Sequence, residues 1–291
     1  MSAFTASKNR SEAWAVDALD LILYGAVGMA LVMAGAWAAQ WLSGNAGWVD
    51  VAWSFGTGLL GLTFALVPEP GAPGISWRQL VIAALVGFWS LRLGSHIAGR
   101  VAHGPEDARY AALRESWGGQ FQSRMFLFLE AQALCAVLLG LAILLAARNP
   151  APNPRLIDIA GLALLAFAIL GERSSDMQLD LFKADANNRG RVCDTGFWSW
   201  SRHPNYFFEW LGWLAYPLLA ISWNGDYPWG WLALLGPALM YALLVYVSGI
   251  PPVEAHMLRS RGADYRDYQR RTSAFFPLPP RRSAAKVVES P

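Results

Sequence analysis

Apolar residues along this chain come in long blocks rather than at amphipathic spacing, and each block is close to the roughly 20 residues that cross a bilayer core. Seven can be read: Leu19 to Leu42, Trp48 to Val67, Ile75 to Ile97, Met125 to Ala147, Leu156 to Gly171, Tyr206 to Trp223 and Trp229 to Gly249. The pattern predicts an all-α integral membrane protein: one domain over residues 1–291 with seven transmembrane helices. Helices one to four fall in residues 19–147, and helices five to seven with a cytosolic tail in 155–277.

Composition supports this reading. Of 291 residues, 55% are hydrophobic and only 15% charged, too little polar sequence to cover so many buried helices in water. The net charge of +2 says little; its distribution says more. Basic residues follow the third block (Arg92, Arg100, Arg109, Arg114, Arg124) and the fifth (Arg173, Lys183, Arg189, Arg191, Arg202), and eight more lie between Arg259 and Lys286. By the positive-inside rule the N-terminus lies outside and the C-terminus in the cytosol. No short apolar core with a small-residue cleavage site opens the chain, so a cleaved signal peptide is not expected. Cys135 sits inside a block and Cys193 in a loop, a setting that suggests neither a disulfide nor a metal site.

The outer loops, such as Pro68 to Gly74 and Asn149 to Pro154, read as turns. The cytosolic segments are richer: Gly99 to Arg124, Glu172 to Arg202, and Pro251 onward. A water-soluble cofactor would find its site there. Asp176, Asp180, Lys183, Asp185, Asn187, Asn188, Arg189 and Arg191 crowd into sixteen residues. Asp176 continues the fifth helix below Glu172, and acids that point inward from membrane helices are usually functional.

The stretch from Gly196 to Trp210 sets Trp200, Arg202, His203, Asn205, Tyr206 and Glu209 at the mouth of an apolar helix. Pro204 suits a first helical turn, so the sixth helix starts near His203. That helix start and the Arg202 fork both favour phosphate. Asn205 and Glu209, four residues apart, share a face one turn deeper and could hydrogen-bond a carboxamide or a ribose.

Beyond the last block, Pro251 and Pro252 precede Glu254 and His256 in what reads as an amphipathic cytosolic helix. Tyr265 and Tyr268 sit three apart on it. Two further groups lie toward the cytosolic side: Trp48 to Trp53, with Asp50, and Trp89 to His96, with Arg92. An acid or arginine at that depth is costly unless paired or hydrated. The segment Gly104 to Tyr110 reads as a turn into a short helix with acids at its start.

These residues carry a resemblance. Trp89 to His96, Arg100, Glu106 and Asp107 with Arg109 and Tyr110, Ser201 to Tyr206 with Glu209, and Glu254 with Tyr265 and Tyr268 resemble the bacterial branch of the steroid 5-alpha-reductase family, over most of the chain from Asp50 to Pro277. The Arg-His-Pro-x-Tyr element, the tail Glu and the Gly-x-x-Tyr-x-x-Tyr spacing are shared with isoprenylcysteine and phospholipid methyltransferases. The pair of Asn205 and Glu209 and the Glu106 to Tyr110 block favour the reductases.

The resemblance implies a seven-helix enzyme of a bacterial inner membrane that uses NADPH to reduce the double bond of a 3-oxo-4-ene steroid or similar enone. The partners it implies are a small hydrophobic substrate and the lipid bilayer, with no nucleic acid and no metal. The substrate would enter a cavity among the first four helices. Cytosolic loops would form the cofactor pocket, with Asp176, Arg189, Arg191, Arg202, Asn205, Glu209, Glu254 and Tyr268 around NADPH. The wider wall takes in His96, Arg100, Glu106, Arg109, Tyr110, Lys183, Asn187, Trp200, His203, Tyr206, His256 and Tyr265. The family's eukaryotic Gln-Glu pair on the second helix and Tyr on the third have no counterpart here; Asp50 with Trp53 and Trp89 with Arg92 stand nearest. On this reading a donor near Asp50 or Arg92, with a buried, neutral Asp50 as one choice, stabilises the developing enolate. The rivals are an S-adenosylmethionine-dependent membrane methyltransferase and a non-enzymatic lipid-binding or scaffold protein.

Overall fold

A computed structural model of the chain describes residues 16–72 and 74–281. It is helical throughout: the described residues hold no β-strand, and their one isolated β-bridge joins Ser201 to Ser273. Five helical stretches are long and apolar enough to cross a membrane: Ala18–Ser43, Trp48–Leu66, Trp77–His103, Arg109–Ala147 and Pro228–Arg271. The first three are α1, α2 and α3. The fourth comprises α4 (Ala108–Trp117), a 3-10 turn and α5 (Phe121–Ala147).

Two of the seven predicted blocks take another form. The fifth continues past Gly171 as α6 (Leu156–Ala184), 29 residues that include Asp158, Glu172, Arg173, Asp176, Asp180 and Lys183. The sixth is interrupted at Leu214, leaving α8 (Pro204–Trp213) and α9 (Ala215–Ala220) after the short α7 (Phe197–Trp200). The seventh passes from a 3-10 turn through α10 (Leu235–Ala242) to a π-helical turn, Leu243–Val247, before α11 (Ile250–Arg271).

The chain forms two compact units, one of residues up to Leu165 with Trp213–Met240, the other of Ala166–Gly212 with the residues from Tyr241 on. In the first, α2 packs tightly on α3. A side chain at Gly58 would collide with Ser90, whose Oγ lies 2.0 Å from an added Cβ. Without a hydrophobic drive between helices in lipid, such small-residue contacts are what hold them together. Ser90 Oγ donates to the Ser54 carbonyl at 3.0 Å, and α3 begins with a capping box of Ser76 and Gln79.

The same unit holds a buried ion network that the loop pattern did not predict. Arg78 meets Asp158 end-on, with Nη1 and Nη2 donating at 2.8 and 2.7 Å, and the two side chains are 1% and 0% exposed. Arg155 donates Nη2 to the same carboxylate at 2.7 Å. The cations also reach the end of α9: Arg78 and Arg155 both donate to the Leu219 carbonyl, Arg155 to that of Ile221, and Asn149 to those of Leu219 and Ala220. Helix ends leave carbonyls unpaired, and positive charge is favourable there. The network supplies that cap to α9.

In the second unit α6 is two-sided. Phe167, Leu170, Met177 and Leu181 form an exposed apolar stripe, whereas Glu172 and Ser175 are buried on another face. Segment 197–203 is tied to α6 and to the chain after α11. Trp198 Nε1 donates to the Ser175 carbonyl at 3.0 Å, and Arg202 N to that of Ser273 at 2.8 Å. As predicted, α11 begins at the two prolines, and it turns at Gly262, whose φ of 54° lies in the left-handed region that glycine tolerates. Past that turn Tyr265 and Tyr268 are both buried, at 2% exposure.

Candidate functional site

In the first unit, polar side chains converge where α4 meets the start of α2. Asp107 caps α4, its Oδ1 accepting the Arg109 N–H at 2.9 Å. Arg109 then donates Nε and Nη2 to Asp107, both at 3.0 Å, and Nη2 to Asp50 Oδ2 at 2.7 Å. Tyr110 donates its hydroxyl to the other Asp50 oxygen at 2.6 Å. Burial alone would raise the Asp107 carboxyl, but hydrogen bonds from Arg109 and its charge, with Arg100 nearby, hold it below its ordinary value.

Asp50, one expected hydrogen-bond donor to the enolate, is placed here as an acceptor. Both of its oxygens accept, one from a guanidinium, so the donor of the cluster is Arg109. Its Nη1 has no acceptor among the described residues. Glu106 accepts the Ala46 N–H at 3.0 Å and Arg114 Nη2 at 2.9 Å, tying α4 to the turn before α2. The Trp53 indole is engaged too, donating to the Gln132 carbonyl at 3.3 Å. Trp89 is buried edge-on to Trp213, and Arg92 and His96 are half-buried one turn apart on α3. Arg100 is mostly exposed, 3.6 Å from Asp107.

In the second unit, α6 and α8 bring together Asp176 and Asn205, as expected of inward-facing polar groups. Asn205 Nδ2 donates to Asp176 Oδ1 at 3.1 Å, and Glu209 lies half-buried one turn further along α8. Pro204 opens that helix, as predicted.

Arg202 has a different surrounding from the phosphate fork expected of it. It donates Nε to Glu254 Oε1 at 2.7 Å, and Nη1 to the carbonyls of Thr272 at 2.6 Å and Gln269 at 3.2 Å. Gln269 Nε2 donates to the other Glu254 oxygen at 2.8 Å. Glu254 and Arg202 thus fasten the tail. Tyr268 does the same from within, donating to the Trp198 carbonyl, with Tyr265 packed against its ring. Trp200 and His256 are exposed, Trp200 with its carbonyl bound by the Leu278 N–H.

His203 is buried, stacked on Tyr206 with ring centroids 5.4 Å apart, and its Nε2 lies 3.2 Å from Glu254 Oε1. Burial pushes its pKa below the ordinary histidine value, more than Glu254 raises it. The folded state therefore refuses a proton that the unfolded chain takes up. Stability should hold above about pH 6.5, the ordinary histidine value, and fall as pH drops below it. Denaturant unfolding at pH 7.5 and 5.5 checks this: His203→Asn should remove most of the difference, and an unchanged pH dependence contradicts the assignment.

After α6, Asp185 Oδ1 accepts the Asn187 N–H at 2.9 Å and shapes a turn. On and beside that turn Lys183, Asn187, Arg189 and Arg191 are exposed, and the three cations form no ion pair among the described residues. Sequence reasoning gave no site role to Asp107, Gln269 or Ser201, whose Oγ donates to the Phe275 carbonyl at 2.8 Å. It also passed over Arg78 and Asp158, although a charge placed within a turn of the start of an apolar block was a readable signal for both.

The family model described as a protein of unknown function, DUF1295, matches residues 36–272, and the chain belongs to that family. No curated protein and no solved structure matches the chain.

Proposed function

We propose that this protein is an integral membrane, NADPH-dependent reductase of the carbon–carbon double bond of a 3-oxo-4-ene steroid or similar enone. In this reading it crosses a bacterial inner membrane seven times, with the N-terminus outside and the C-terminus in the cytosol. The observation that carries it is the hydrogen bond between Asn205 and Asp176, an amide and a carboxylate held together on two largely apolar helices. Such a pair supplies both the donor and the acceptor that a carboxamide or a ribose requires.

The wider donor set fits the cofactor. Lys183, Arg189 and Arg191 stand exposed, with no ion pair among the described residues, as groups that receive phosphates would. NADPH, when bound, supplies the hydride. The protein's part is to orient the nicotinamide through Asp176 and Asn205 and to polarise the substrate ketone. Within the first unit, Arg109, fixed by Asp50 and Asp107, is the group we propose as donor to the enolate oxygen. Fixed donors of this kind are worth roughly 3 kcal/mol each because they need no reorganisation as charge develops. Apolar helices take the hydrocarbon body of the substrate.

Titration of the purified protein with NADPH and with S-adenosylmethionine tests the reading. NADPH should bind, and Asn205→Leu should weaken it by up to about tenfold, the effect of losing one neutral hydrogen bond. Binding of S-adenosylmethionine alone contradicts it and favours the methyltransferase.

A further inference from the structure

The chain does not leave the fold at the end of α11. Residues 272–278 run back along segment 200–202: Arg202 N donates to the Ser273 carbonyl at 2.8 Å and Leu278 N to that of Trp200 at 3.0 Å. Phe275 is buried by this, with its ring among Phe207, Trp210 and Tyr241. Phe276 and Leu278 are not; they stand 44% and 54% exposed. Trp200 is 47% exposed, its carbonyl paired with the Leu278 N–H, and Tyr246 is 68% exposed, packed against Tyr241, whose ring also meets Phe276. Val247 continues the patch at 59% exposure. A tail in water has no reason to be stitched down by backbone hydrogen bonds while it turns an aromatic and a leucine outward.

We propose that this arm, Phe276 to Arg281, is an anchor seated in the headgroup region of the phospholipid leaflet beside it. Three observations choose lipid as the occupant. The patch is continuous with Tyr246 and Val247, which belong to the apolar stretch Pro228–Arg271 that is fit to cross a membrane. Its Trp200 and Tyr246 side chains are of the kind that settle where hydrocarbon meets headgroups. The arm carries an exposed arginine, Arg281, whose N–H is held by the Arg271 carbonyl at 2.8 Å. A cation next to an interfacial apolar segment is favourable beside lipid phosphate. Because Leu278 of the arm is bonded to Trp200, and Ser273 just before the arm to Arg202, the bilayer then braces segment 200–202. The inference stands whether or not the protein is a reductase.

Spin labels on the full chain in phosphatidylcholine and phosphatidylglycerol nanodiscs test it, with Cys135 and Cys193 replaced by alanine. Labels go to Leu278→Cys, to Tyr246→Cys on the same patch with the arm intact, and to Arg259→Cys on the exposed face of α11. Electron paramagnetic resonance then compares accessibility to oxygen, which concentrates in lipid, with that to a water-soluble nickel chelate. The oxygen-to-nickel ratio should be several-fold higher at 278 and 246 than at 259. A ratio at 278 equal to that at 259 places the arm in water and overturns the proposal. Low accessibility to both reagents at 278 means burial against a second copy or another protein, and overturns it as well.

Discussion

Asp158→Ala is expected to lower folding stability by about 3–5 kcal/mol, the usual cost of stranding one member of a buried ion pair. Arg78 would be left 1% exposed with its carboxylate gone, still donating to the Leu219 carbonyl at 3.2 Å. Arg155 would lose the same acceptor, and the cap on α9 would loosen with it. The pair itself is a different matter. Its desolvation offsets much of its attraction, so Arg78→Met combined with Asp158→Leu should recover most of the loss. Denaturant unfolding of the purified protein in detergent micelles measures both. A double variant as unstable as the single one would mean that the network acts through its carbonyl contacts and not through the pairing of charges.

Arg109→Lys is expected to reduce enone turnover about 100-fold while leaving NADPH affinity nearly unchanged, as loss of one preorganised oxyanion donor does. Lysine keeps the charge but lacks the fork that lets Arg109 hold Asp107 and Asp50 and still present Nη1. Asp50→Asn, which weakens the hold on Arg109 and Tyr110 without removing the donor, should lower turnover less. Steady-state kinetics with a separate NADPH titration of each variant decides the matter. If Arg109→Lys instead weakens NADPH and spares turnover, Arg109 belongs to the cofactor wall, as the sequence had suggested.

Much of the fold was legible because hydropathy in long blocks has few structural solutions. The second block, Trp48 to Val67, ends within one residue of its helix, Trp48–Leu66. Where the blocks misled, the cause is that hydropathy does not register backbone continuity. The run from Tyr206 to Trp223 is apolar across the break at Leu214. The opposite error shortened α6, since Met177 and Leu181 extend its exposed apolar stripe past the charges at Glu172 and Asp176.

At the site, helical spacing placed Asn205 and Pro204 well, because both are local features. Partnerships across long separations were not legible. That Arg202 binds Glu254, 52 residues away, and that Asp50 binds Arg109, 59 away, depends on tertiary packing. Arg202 therefore read as a phosphate ligand, and Asp50 as a hydrogen-bond donor. Gly262 is the instructive middle case. Its place in the Gly-x-x-Tyr-x-x-Tyr spacing was visible, but only the positive φ shows why a glycine stands before two tyrosines that turn inward.

If the chain passes a hydride from NADPH to a conjugated enone, as proposed, a deuterium label will follow it. Purified protein in nanodiscs, given NADPH deuterated at the transferred position and androst-4-ene-3,17-dione, should yield a saturated ketone carrying one deuterium at the beta carbon, with matching loss of NADPH absorbance. NADPH consumption that leaves the steroid unchanged, or no consumption with any enone while S-adenosylmethionine binds, would contradict the account.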